Sequence, residues 1–126
     1  MKTLLKTEEL AEMLLALFIF AHLPFAWWVL PATFLLPDLS MLGYLAGPRV
    51  GAASYNLAHH KAMAVAVGVA GGLLGLPLVV LVGTVLLFHS AFDRLLGYGL
   101  KYSTGFQDTH LGRAGKAAIT ASPVVA

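Results

Sequence analysis

PLVVLVGTVLLFHSAFDRLLGYGL, residues 77–100, decides the fold of this chain. A proline opens the stretch, as suits a first helical turn. No charge follows until Asp93. At about 1.5 Å per residue the run crosses ~30 Å of hydrocarbon. No alternation of period two persists, which argues against a strand. His89 and Asp93 interrupt the apolar run four residues apart, so they share one helical face. An ionisable group at membrane depth costs a few kcal/mol even on lenient scales, so such groups mark function.

Working outward, three more apolar segments appear, at 8–23, 27–45 and 51–74. With 77–100 they predict an all-α, polytopic four-helix membrane bundle. The connections at 24–26, 46–50 and 75–77 are short, so sequential helices are antiparallel. A membrane barrel would need about eight short strands separated by polar turns, and these are absent from the sequence. The chain is 59% hydrophobic and 11% charged, with a mean hydropathy of +0.82. A soluble domain carries about a quarter charged residues, which excludes an ordinary soluble reading. There is no cysteine, so disulfides and thiolate metal sites are excluded.

The basic residues set the orientation. Lys2, Lys6, Arg49, Arg94, Lys101, Arg113 and Lys116 all fall on one side if both termini are cytoplasmic. Lys61 is the exception. Trp27 and Trp28 then anchor the outer interface. This placement accounts for the net charge of +2 without nucleic acid, and no polar face interleaves basic and aromatic residues. Glu8, Glu9 and Glu12 interrupt the N-terminal apolar stretch, and no small-x-small site follows near residue 25. It therefore reads as a retained first helix. The setting expected is the bacterial inner membrane, with the lipid bilayer as partner and a homo-oligomer as a compatible assembly. Residues 101–113 read as a cytoplasmic loop. Residues 114–126 read as a frayed tail.

Pro31 and Pro37 predict a kink in the second helix, and Pro37 immediately precedes Asp38. Gly68 and Gly72 form a small-x-x-x-small pair suited to close helix packing. Counting depth along the helices puts Asn56, His59, His89, Asp93 and Asp38 on the inner half of the bilayer. Glu9 and Glu12 lie within two turns of the same side. The outer half has only His22, which reads as a packing hydrogen-bonder. His59 and His60 are about 100° apart on a helix, so one of them faces the bundle; His59 is the favoured one. His60 and Lys61 then face a neighbouring subunit or the interface. Carboxylates and imidazoles on facing helices are the ingredients of a thiolate-free metal site for a divalent ion such as zinc or manganese.

Longer motifs carry a family resemblance. PDLSMLGY (37–44), GPRVG (47–51), Tyr55-Asn56-x-x-His59, HSAFDR (89–94) with GYGLKY (97–102), and Gly105-Phe106 with THLG (109–112) resemble a small bacterial integral-membrane family of uncharacterised function. The resemblance covers residues 8–113. A looser similarity links the order Pro-Asp, His-bearing helix and His-x-x-x-Asp to membrane-bound metal-dependent hydrolases. Their pattern has a second Asp two positions after the first, where this chain has Ser40. That resemblance rests on Asp38, His59, His89 and Asp93 and implies them as metal ligands; the depth of Glu9 and Glu12 on the first helix makes either of them the candidate general base. The residues themselves suggest the substrate contacts: Asn56 near the ligands, Arg49, Arg94 and Lys101 as positive charge at the cytoplasmic mouth, and Tyr98 and His110 on a loop expected to fold over it. The expected function is metal-dependent hydrolysis of a lipid-linked or phosphoester substrate, an anionic lipid among the candidates. Two alternatives stand beside it: a small oligomeric proton-coupled transporter, and a non-catalytic accessory protein of the membrane.

Overall fold

A computed structural model of the chain describes residues 1–113, and the tail at 114–126 lies outside the described residues. Helix α1 spans Lys2–Ala21, six residues earlier than expected, because nothing between Lys2 and Glu8 breaks a helix. It ends at His22, whose ring Nδ1–H donates to Phe18 O at 2.8 Å, just before Pro24.

The second segment is not one kinked helix. It divides into a short α2, Val29–Thr33, and a 3-10 helix, η1, Leu36–Ala46. Pro37 explains the division. Its ring excludes an α-helical carbonyl four residues back, which is that of Thr33, where α2 ends. The chain then tightens: Asp38 N–H donates to Leu35 O, three residues back, at 3.0 Å. Phe34 O is thereby left without a backbone partner of the α-helical kind. The sequence of η1 repeats every three residues, as a 3-10 helix requires. Leu36, Leu39, Leu42 and Leu45 form one outward ridge, 54–89% exposed. Pro37, Ser40 and Gly43 form the inward edge, where Ser54 Oγ–H donates to Ser40 O at 2.7 Å.

The third segment also divides. Helix α3 spans Pro48–His59 and α4 spans Lys61–Leu74, with a 48° bend at His60. His60 is extended (φ −85°, ψ 118°). Neither Pro nor Gly stands there. Side chains instead take the carbonyls near the break: His59 Nδ1–H donates to Tyr55 O at 2.9 Å, and Arg94 Nη2 reaches His59 O at 3.5 Å. Helix α4 closes on Gly75 in the left-handed region (φ 66°), with Leu76 N–H donating to Gly71 O and Gly75 N–H to Gly72 O. Pro77 then starts α5, Pro77–Leu95. Helix α5 stops five residues short of the expected end because Gly97 (φ 96°) repeats the same closing motif: Gly97 N–H donates to Arg94 O and Tyr98 N–H to Asp93 O.

Helix α5 is central, packed against α1 and α4, while α3 packs on η1. The α4–α5 seam runs at backbone contact. A Cβ at Gly83 would lie 2.5 Å from Gly68 N, and one at Gly71 would lie 2.6 Å from Val80 N. Gly72, expected beside Gly68 in the seam, instead faces open space. Ala16, Ala64 and Leu87 fill one core cluster; Phe20, Leu30, Leu81 and Val85 fill the other. Large side chains such as Leu73 and Trp27 remain 84% and 79% exposed, as suits a lipid-facing surface. Two segments, 29–46 and Pro77–Leu95, are long and apolar enough to cross a membrane; the bent α3–α4 pair makes a third if it is one span. Helix α1 is not among them, for Lys2, Lys6, Glu8, Glu9 and Glu12 lower its hydropathy.

Beyond α5 the chain folds back on α3. Strand β1 (Asp108–Thr109) pairs antiparallel with β2 (Gly112–Arg113), and Lys101 bridges to Thr109. Asn56 fixes this loop: its Nδ2–H donates to Lys101 O at 2.7 Å, and Lys101 N–H donates to its Oδ1 at 2.5 Å.

Candidate metal centre

The break before Pro37, the bend after His59 and one face of α5 converge on a single point. Phe34 O, freed by the tight turn of η1, accepts from His89 Nδ1–H at 2.6 Å. Tyr55 O holds His59 Nδ1–H in the same way. A carbonyl only accepts, so both rings carry a proton on Nδ1, and in the neutral ring Nε2 presents a lone pair. Fixing a histidine through its other nitrogen is how proteins orient metal ligands.

Each Nε2 faces the same two carboxylate oxygens. His89 Nε2 is 3.0 Å from Asp38 Oδ1 and 3.4 Å from Asp93 Oδ2. His59 Nε2 is 3.4 Å and 3.3 Å from those two atoms. The four donor atoms all lie within 4.8 Å of one another. These four nitrogen–oxygen separations, 3.0–3.4 Å, are short enough for all four atoms to share one ion. His59 Nε2 is buried and has no hydrogen-bond partner among the described residues. With no cation present, His89 Nε2–H donates to Asp38 Oδ1 at 3.0 Å; with both imidazoles neutral, the two carboxylates would leave two negative charges for a divalent cation to balance. Asp38, His59, His89 and Asp93 can thus hold a metal ion, and the set of two nitrogen and two oxygen donors does not select one.

The burial of the four is uneven. The His89 and His59 side chains are 1% and 4% exposed, Asp93 16% and Asp38 36%, so the centre opens on the Asp38 side. Tyr55 supports the inner side: its hydroxyl donates to Asp93 Oδ2 at 3.0 Å, and its ring stacks on His59 with centroids 3.8 Å apart. Tyr55 has no assigned role in the sequence reading. Its place four residues before His59, on the same helical face, was the available signal.

The other expected site residues lie elsewhere. Glu9 and Glu12 are gathered by Lys61, not by the four donors; Lys61 Nζ donates to Glu9 Oε2 and lies 2.8 Å from Glu12 Oε2. Lys61, expected at a subunit face or the interface, is therefore an internal ion-pair partner. A general base must reach the proton that it takes, and neither acid bonds to the cluster among the described residues. Asn56 spends both ends of its amide on the Lys101 backbone. Arg49 is exposed in the first turn of α3, about 15 Å along that helix from His59. Arg94 borders the centre through His59 O. His60 is exposed, and His59 is the inward member of the pair.

Lys101 is buried at 3% exposure, and its Nζ has no hydrogen-bond partner among the described residues. Its ammonium stands 4.1 Å from the Phe106 ring centroid, 4.8 Å from that of Tyr55 and 5.7 Å from that of Tyr98. Burial pushes the ammonium below its ordinary pKa, and the carboxylates of Asp93 and Asp38 oppose that shift. His110 accepts from Leu100 N–H through Nδ1 at 2.8 Å. Burial, then the nearby Arg94 charge, holds His110 below its ordinary value.

The chain belongs to the family described as a domain of unknown function, DUF4260, which matches residues 2–114. No curated protein and no solved structure shows a significant similarity to it.

Proposed function

We propose that this chain is a multi-pass protein of the bacterial inner membrane, with both termini cytoplasmic. To the two apolar segments and the bent α3–α4 pair this reading adds α1 as the fourth pass, despite the charges that lower its hydropathy. The protein hydrolyses a lipid-linked or phosphoester substrate from the cytoplasmic side, with a divalent metal held by Asp38, His59, His89 and Asp93. The observation that carries this reading is the convergence of two oriented Nε2 atoms on two carboxylates. A divalent cation in such a place supplies Lewis acidity and lowers the pKa of bound water. Phe34 O and Tyr55 O hold the two imidazoles in the ligating tautomer. The Tyr55 hydroxyl fixes Asp93. Asp38, the most exposed of the four, marks the side from which a substrate arrives. The caged Lys101 ammonium adds positive charge beside Asp93 and Asp38, suited to an anionic substrate.

Elemental analysis of the purified protein tests this. The expected result is one divalent ion per chain, lost in His89→Ala, together with phosphodiesterase activity on bis(p-nitrophenyl) phosphate that chelation abolishes. A folded, metal-free and inactive wild type would sink it. A proton-coupled carrier is the second reading, favoured by the broken segments at Pro37 and His60 and by the internal Lys61–Glu9–Glu12 group. Substrate-driven proton uptake in proteoliposomes would put it first.

A further inference from the structure

A cavity of about 470 Å³ lies between the start of α1, the end of α5 and the returning loop. Lys2, Lys6, Glu9, Arg94 and His110 supply its polar lining. None of the four candidate ligands lines it, so it is separate from the centre described above. Its charge is unbalanced. Glu9 is already paired with Lys61, whereas Lys2, Lys6 and Arg94 have no ion-pair partner among the described residues. Arg94 makes one long contact, to His59 O, which leaves most of its five donors free. His110 accepts Leu100 N–H on Nδ1, so its neutral ring carries a proton on Nε2 as a further donor. Three cations and an imidazole N–H, with no acid left unpaired, form a donor set for a compact, multiply charged oxyanion.

We propose that this cavity binds a phosphate group, held by Arg94, Lys2 and Lys6 with His110 as a neutral donor. Leu5 and Leu111 give the cavity an apolar side. The same phosphate chemistry could come from an anionic lipid head group or from a free phosphate. Binding needs no metal, so this inference stands apart from the hydrolase reading.

The test uses the full chain, in detergent with chelator present, so that a failure of the metal centre leaves the result unaffected. Inorganic phosphate is titrated by calorimetry. In parallel, retention of phosphatidylglycerol against phosphatidylcholine is measured by native mass spectrometry. Saturable phosphate binding without lipid preference identifies a free phosphate as the ligand. Preferential retention of phosphatidylglycerol identifies the head group. In either case Arg94→Gln and the double variant Lys2→Gln/Lys6→Gln should weaken binding by about tenfold or more, the loss expected for charge-assisted bonds. Lys6→Arg should retain it. The double variant alters only exposed side chains on α1, so it tests the cavity even if Arg94→Gln fails to fold. Absence of binding in both arms, or equal binding by wild type and the double variant, overturns the proposal.

Discussion

Replacing Asn56 by leucine should unfasten the returning loop while leaving the four-donor cluster in place. The asparagine amide is the clamp: it accepts Lys101 N–H at 2.5 Å and donates to Lys101 O at 2.7 Å. Leucine has nearly the same size and can do neither. If the loop stayed shut, two buried backbone groups would go unpaired at about 1–3 kcal/mol each. Opening the loop avoids that cost. The closed state therefore loses about the net worth of two hydrogen bonds, roughly 2 kcal/mol. Exchange of the Lys101 amide should then accelerate by roughly 30-fold, and trypsin should cut after Lys101, which is buried in the wild type. Metal content should be unchanged, because Asn56 makes no hydrogen bond to the four ligands among the described residues. Unchanged protection at Lys101 would refute the clamp. Loss of metal alongside loss of protection would refute the independence of loop and centre.

Tyr55→Phe keeps the ring stacked on His59 but removes the hydroxyl from Asp93; metal affinity by competition with a chelating dye should fall about 10–100-fold with little change in melting temperature. Gly83→Val should destabilise the α4–α5 seam by about 1–3 kcal/mol or more, because its Cβ meets backbone at Gly68 and Ala64, whereas Gly72→Ala should be neutral or mildly stabilising in denaturant titrations. Lys101→Met tests the buried ammonium. The folded pKa lies below the ordinary 10.5, so between those values the unfolded chain holds more protons and wild-type stability rises with pH. In the methionine variant that rise, followed as melting temperature on approach to pH 10.5, should vanish.

The parts of the site that depend on local spacing were readable in advance. His89 and Asp93 share a face because they stand four apart, and Pro37 had to break whatever helix contained it. The bend at His60 was not readable. It depends on a histidine ring and an arginine from another helix taking carbonyls, which is a tertiary matter. The 3-10 form of η1 had a signal that a 3.6-residue template misses: leucines at 36, 39, 42 and 45 recur every third residue. The end of α5 was written at Gly97, yet the apolar residues around it outweighed that glycine. Depth alone places Glu9 and Glu12 near the site. Depth along a helix fixes height but not azimuth, and their azimuth leads to Lys61.

The leucine ridge also bears on reach. A 3-10 helix advances about 2.0 Å per residue against 1.5 Å for an α-helix. The eleven residues of η1 therefore climb about 22 Å rather than about 16 Å. With α2 and the two joining residues, a stretch of only 18 residues can match the thickness of a hydrocarbon slab despite its fracture. Overwinding thus returns the length that the proline break takes away, and the acid beside that proline keeps its height relative to α5.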